Sequence, residues 1–263
     1  MAIGLIIIGD EILSGKRADA HFAAVVKMLA ERGLQLAWAE VLGDDPERLT
    51  STFKRTMAGD DIVFSCGGIG ATPDDHTRQC AARALGLPLA MHPQARRNIE
   101  ERIIALSEKA GVDPALDSPE NQQRLQMAVF AQGATLIPNP YNKVAGFTLG
   151  RHHFVPGFPV MAAPMIAWVL ENLYPHLFNQ SPRSEQSVLV FETAESALVP
   201  LMEAIEAGWP QVKAFSLPSV GDAQTRQHVE LGVKGEPAQT AAAFAHLCAG
   251  LAQLTAPYRP LET

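Results

Sequence analysis

The chain has 263 residues, 47% of them apolar, and a net charge of −7. That is apolar material enough for one large domain or two smaller ones, while the acidic balance without a basic stripe argues against nucleic-acid backbone binding as the main activity. Three cysteines at unrelated spacings, Cys66, Cys80 and Cys248, form no zinc or redox pair, and the apolar run from Ala2 to Ile8 meets Asp10 and Glu11 before it reaches membrane-spanning length, so a cytoplasmic protein without membrane or nucleic-acid partners is expected.

The first half alternates strand and helix. Ile3 to Ile8 is a β-branched run suited to a strand buried on both faces. Asp19 caps a helix whose Phe22, Val25, Val26 and Leu29 fall at helical spacing before Gly33. Gln35 to Leu42 reads as a strand, Pro46 to Met57 as a helix, Asp61 to Cys66 as a third strand, and Pro73 to Leu85 as the helix that follows it. This order implies an α/β fold: a mainly parallel sheet with helices on both faces. Gln94 to Ala110 is a further helix, Ser118-Pro119-Glu120 opens a short one, and Gly150-Arg151 turns a hairpin between Phe147 to Leu149 and His152 to Val155. A helix near Met161 to Leu177 closes the region. Polar residues and Pro182 between Asn179 and Glu185 mark a boundary, so the expected domains are residues 1–178 and a smaller α+β unit over residues 186–263.

In open parallel sheets ligands bind beyond the carboxyl ends of the strands. Three acidic loops gather there: Gly9-Asp10-Glu11, Gly43-Asp44-Asp45, and Gly67-Gly68-Ile69-Gly70-Ala71-Thr72-Pro73-Asp74-Asp75-His76-Thr77. In the third, glycines let amides turn inward around a phosphate, and a divalent cation would sit between that phosphate and the two aspartates. A second reading stands beside it: Thr72 as N-cap, Pro73 at the first helical position and Asp75 at the third make a helix start that needs no ligand. Other motifs fail. Gly68 to Pro73 lacks a glycine of the dinucleotide fingerprint, Cys66 at the end of a buried strand is inert, and His152 and His153 point to opposite faces of a strand.

Gly9-Asp10-Glu11-Ile12-Leu13-Ser14-Gly15, the Gly67 to Thr77 segment, Asn139-Pro140 with Ala145-Gly146-Phe147, Pro156-Gly157-Phe158-Pro159, and Ala194-Glu195-Ser196-Ala197-Leu198 occur in this order. Together they resemble the successive motifs of the CinA family in its N-terminal, molybdopterin-binding (MoaB/MogA-like) region. The resemblance implies a three-layer α/β/α domain and a metal-dependent pyrophosphatase acting on ADP-ribose or FAD-like diphosphates. The alternatives are a molybdopterin or nucleotide binding module without turnover, and an adenylyltransferase. The amidohydrolase domain of longer relatives is not expected. The chain departs from the family pattern at Ala71, where proline is usual, and at Met161, where glutamate is usual.

The expected site therefore has Asp74 and Asp75 as catalytic residues. Gly9, Asp10, Glu11, Asp44, Gly67, Gly68, Gly70, Thr72 and Thr77 hold the ligand, and Asp10, Asp74 and Asp75 hold a Mg, Mn or Co ion. The partner is a small nucleotide or pterin, molybdopterin among them, and a homo-oligomer is expected.

Overall fold

The computed structural model of the chain describes residues 2–180, 184–222 and 225–261. Its packing falls into two compact units, Met1–Phe178 and Asn179–Thr263; Pro182 of the expected boundary lies outside the described residues.

The first unit runs β1 (Ile3–Ile8), α1 (Asp10–Leu13), α2 (His21–Ala30), β2 (Trp38–Leu42), α3 (Pro46–Met57), β3 (Ile62–Cys66), α4 (Thr77–Leu85), β4 (Leu89–Met91), α5 (Pro93–Ala110), α6 (Pro119–Leu125), β5 (Val129–Ala131), β6 (Thr135–Ile137), β7 (Gly146–Leu149), β8 (His152–Val155) and α7 (Pro159–Leu173). Six strands form one sheet in the order β2-β1-β3-β8-β7-β6. β2, β1, β3 and β8 are parallel, and β7 runs against both β8 and β6.

Alternate residues of each central strand feed separate cores. Ile6 and Ile8 of β1 and Val63 of β3 pack with Leu49 and Phe53 of α3 and with Ile99 and Ile103 of α5. Leu5, Ile7, Ile62 and Phe64 pack on the other face with Val25 and Leu29 of α2 and Met165 and Val169 of α7. Both faces are covered, which is why the strands read as continuous apolar runs. The result is a three-layer α/β/α domain with a mainly parallel sheet.

From β1 the chain steps outward to β2 and then returns to the other side of β1 for β3. The loops after β1 and β3 therefore leave in opposite directions and open a crevice at the strand ends. One sequence expectation fails here. The helix expected from Pro73 begins at Thr77: Asp75 Oδ2 accepts the Thr72 amide at 2.9 Å, one half of the expected cap, but the Thr72 hydroxyl turns to the same carboxylate instead of to the Asp75 amide, which donates to Thr72 O at 3.1 Å and closes a single turn that does not continue. Ten residues, Gly67 to His76, thus form a compact loop where a short turn is expected.

The second unit comprises β9 (Ser184–Val190), α8 (Glu195–Gly208), β10 (Val212–Ser219), β11 (His228–Gly235), α9 (Pro237–Gln253) and β12 (Tyr258–Pro260). Its antiparallel sheet has the order β10-β11-β9-β12. Val188, Val190, Leu231 and Val233 pack against Leu198, Ile205, Leu247 and Leu251 of the two helices. Among the described residues no helix is long and apolar enough to cross a membrane.

Candidate functional site

The Gly67 to His76 loop is fixed by close approach. Gly67 and Gly68 take φ of 117° and 66°. A Cβ on Gly67 would lie 2.3 Å from Ile8 O, and one on Gly68 would lie 2.3 Å from Thr77 Oγ1. The Gly67 amide donates to Val155 O at 3.0 Å, and Gly157 packs on its Cα. The ends of β1, β3 and β8 therefore meet at one glycine.

The loop uses its acceptors and spares its donors. Gly67 O accepts from Thr77 Oγ1 at 3.0 Å and Gly68 O from the Thr77 amide at 3.0 Å. Gly70 O accepts from Arg78 Nη2 at 2.5 Å, and Ala71 O from Gln123 Nε2 at 2.6 Å. The amides of Gly68, Ile69, Gly70 and Ala71 donate to nothing among the described residues. A run of unpaired amides whose carbonyls are tied elsewhere is an anion cradle.

Arg78 is the main tie. The residue is 3% exposed, and its guanidinium also reaches the carbonyls of Gln126 and Val129. Burial lowers its pKa, opposed by the Asp75 carboxylate, yet an arginine stays charged.

The loop forms one wall of a cavity of about 570 Å³, within the range that takes a small organic ligand. α5 contributes Ile99, Arg102, Ile103 and Leu106, and α6 contributes Arg124; Met127, Asn139, Asn142, Val144, Phe158 and Met161 complete the lining. Asn139 and Asn142 both turn their carboxamide Nδ2 to Met161 Sδ, at 3.5 and 3.2 Å.

Of the residues expected from the sequence, Gly68, Gly70, Thr72 and Asp75 line the cavity. The others do not. Thr77 is fully buried as the anchor of the loop, and Gly67 packs beneath it. Gly9 donates to Leu42 O at 3.0 Å. Asp10 and Asp44 clamp each other: the Asp10 amide donates to Asp44 Oδ2 at 2.9 Å and the Asp44 amide to Asp10 Oδ1 at 3.2 Å. Burial raises the Asp44 carboxyl above its ordinary range; the hydrogen bond from Asp10 opposes this, and the charges of Asp10, Glu11 and Asp74 add to it. An acidic edge of Asp10, Glu11, Asp44 and Asp74 thus exists beside the loop.

The expected ion on Asp10, Asp74 and Asp75 does not fit this arrangement. Among the described residues no three His, Cys, Asp or Glu side chains converge where they could hold a metal. Asp75 Oδ2 is taken up by the Thr72 amide and hydroxyl, Asp10 and Asp44 are held on each other's amides, and Asp74 has its carboxyl held low chiefly by a hydrogen bond with Thr72.

Arg102, Arg124 and Met127 are lining residues that the sequence reading missed. One signal for Arg102 is available, because it shares a helical face with Ile99, Ile103 and Leu106, a cation on an otherwise apolar stripe. Cys66 is fully buried with its thiol pKa raised by burial, and has no access to the cavity.

A three-layer α/β/α domain carrying a ligand-sized cavity beyond the carboxyl ends of β3 and β8 is the class this geometry defines. Residues 4–176 match the family described as "Probable molybdopterin binding domain", and the chain belongs to that family. Over 90% of its length it is 28% identical to a CinA-like protein of Anaeromyxobacter sp. (strain K), of which it covers 60%. It is 30% identical over 82% of its length to a CinA-like protein of Citrifermentans bemidjiense, of which it covers 50%. The chain thus spans about half to three-fifths of these relatives. A solved structure of "the protein CinA with unknown function from Thermoplasma acidophilum" superposes with a TM-score of 0.51 at 25% identity, covering 65% of this chain and 98% of that one.

Proposed function

We propose that the first unit binds a phosphorylated nucleotide or pterin, molybdopterin being a candidate, with a phosphate on the amides of Gly68 to Ala71 and the ring against the apolar wall of α5. The observation that carries this reading is the asymmetry of the loop: four carbonyls are tied to protein donors while four successive amides have no partner among the described residues. Ile99, Ile103 and Leu106 supply a wall for a flat ring, and the family match supports a ligand of this class.

Thermal shift with AMP and ADP tests it: wild type is expected to gain several degrees at saturating ligand. Gly68→Ala, which sets a Cβ against Thr77 Oγ1 in a left-handed conformation, is expected to lose that gain. A flat response of wild type to every nucleotide and pterin phosphate offered would sink the reading.

A second reading, hydrolysis of ADP-ribose or FAD, is favoured by Asp74 and the acidic edge at the loop. A carboxylate beside a held diphosphate can accept the proton of a water whose oxygen bonds to phosphorus as the bridging P–O bond breaks. Incubation with ADP-ribose or FAD, with and without Mg, Mn or Co ions, should then release AMP, and Asp74→Asn should lower the rate about 100-fold or more. Binding without AMP release leaves the binding module as the function.

A further inference from the structure

Asn139 and Asn142 aim two carboxamide N–H groups at one sulfur. Asn139 Nδ2 stands 3.5 Å and Asn142 Nδ2 3.2 Å from Met161 Sδ. Neither carboxamide can turn round without loss, because each oxygen already accepts a backbone amide: Asn139 Oδ1 that of Tyr141 at 3.0 Å, and Asn142 Oδ1 that of Val144 at 2.9 Å. The segment between them is braced as well. Lys143 N donates to Asn139 O at 2.9 Å, Asn139 Nδ2 to Val144 O at 3.0 Å, and Arg102 Nη1 to Asn142 O at 3.1 Å. The two donors are therefore set in place by the fold and not by the sulfur.

A thioether serves such donors badly. It is a weak acceptor, and Asn142 Nδ2 has no other partner among the described residues. An oxygen added to that sulfur would be a strong acceptor facing donors already in position. An oxidant can reach it: Met161 is half-buried and lines the cavity together with both asparagines. Its flexible, unbranched side chain lets the sulfur withdraw into that space by the length an added oxygen needs. Met165, one turn further along α7, is fully buried in the core.

We propose that Met161 is a modification site, converted to the sulfoxide by hydrogen peroxide and held in that state by Asn139 and Asn142. A lone pair of Sδ attacks one peroxide oxygen and the O–O bond breaks as the S–O bond forms. The proton of the transferred oxygen passes to the departing one, which leaves as water. Sulfur loses two electrons and the peroxide gains them; methionine sulfoxide reductase returns the thioether. Methionine oxidation ordinarily disrupts packing. Here the new oxygen gives two existing donors the acceptor they lack, so the oxidised first unit is the more stable form.

The test treats the whole chain with hydrogen peroxide at a dose that converts about half of Met91, an exposed methionine, and reads each site by mass spectrometry. Met161 is expected to be oxidised at least as far, and Met165 to stay intact. The melting temperature of wild type should rise by about 2 °C relative to equally treated Met161→Leu, whose response records the other methionines. Methionine sulfoxide reductase should reverse the rise. Asn142→Asp keeps the acceptor for the Val144 amide but removes the donor, and should turn the rise into a fall. Met161→Gln, which sets an amide oxygen before the same donors with no oxidant, should melt above Met161→Leu by a similar margin. An intact Met161 in protein whose Met91 is half oxidised, or the same thermal shift in wild type and Asn142→Asp, would overturn the proposal.

Discussion

Arg78→Met is expected to destabilise the first unit by about 3 kcal/mol or more and to abolish nucleotide binding. Met keeps the apolar stem of the side chain but stops short of the guanidinium nitrogens, so the main loss is the donor set. The carbonyls of Gly70 and Val129 lose the donor that Arg78 gives them, while Gln126 O keeps only the Val129 amide, and a buried acceptor left without a partner costs about 1 to 3 kcal/mol. Removing a buried charge returns part of this. The loop end at Gly70 would then lack its tie to the segment after α6, and the amides of Ile69 to Ala71 would no longer be held in a common orientation. Urea unfolding followed by a nucleotide titration measures both effects. Arg78→Lys, which can serve one carbonyl but not three, should fall between the two. Wild-type stability in Arg78→Met would show that the guanidinium contributes nothing to the loop.

Acid is expected to destabilise the first unit before its carboxylates titrate. His152 and His153 sit side by side on β8 and on opposite faces of the sheet. His152 Nε2 pairs with Thr56 Oγ1 at 2.9 Å; His153 pairs with Thr148 Oγ1 at 2.9 Å and Tyr174 OH at 2.8 Å. Burial holds both imidazoles neutral, with His152 lowered to about 4 and His153 to about 3 from an ordinary 6.5. In the unfolded chain they take up protons near the ordinary value. Between that value and the lowered ones the unfolded state binds more protons than the folded state, so stability is full above about pH 6.5 and falls as the pH drops through the window. Each histidine contributes a slope of up to about 1.4 kcal/mol per pH unit. Urea midpoints at pH 7, 6 and 5 should therefore decline steeply for wild type. His153→Gln, which keeps hydrogen-bonding groups for Thr148 and Tyr174, should decline by one histidine's slope less. Parallel curves for the two proteins would rule out His153 as a source of the acid lability.

The sheet was legible because its strands announce themselves. Ile3 to Ile8 and Ile62 to Cys66 are buried on both faces and read as unbroken apolar runs, and Pro46 with Asp45 before it marks the start of α3, where Asp45 accepts the Arg48 amide at 2.7 Å. The alternation of strand and helix implies parallel strands, and with them the edge where ligands gather, whereas the strand order β2-β1-β3-β8-β7-β6 is set by packing and not by chain order. Boundaries set by side-chain choice between two local partners were not legible. Thr72 turns its hydroxyl to the Asp75 carboxylate instead of to an amide of the next turn, so only half of the expected cap forms and the helix starts at Thr77 instead of Pro73. β12 is three exposed residues with no alternation to reveal it. The far wall of the cavity was hidden for a different reason. Arg102 and Arg124 lie some way along the chain from the glycine loop and reach it only through the packing of α5 and α6 on the sheet, which no local pattern encodes. The acidic residues next to the glycines were visible and drew the expectation of a metal; the arginines that face the same space were not.

Four ties hold the Gly67 to Ala71 carbonyls before any ligand arrives. Ordering a residue's backbone costs about 1 to 2 kcal/mol, and for this loop that entropy is surrendered when the chain folds. A ligand arriving at the amides has little left to freeze. Its affinity should track the quality of the contacts it makes, with no allowance for organising the loop. The same arrangement makes the site a reporter on the fold: whatever loosens Arg78, Gln123 or Thr77 weakens the grip on a phosphate without touching it.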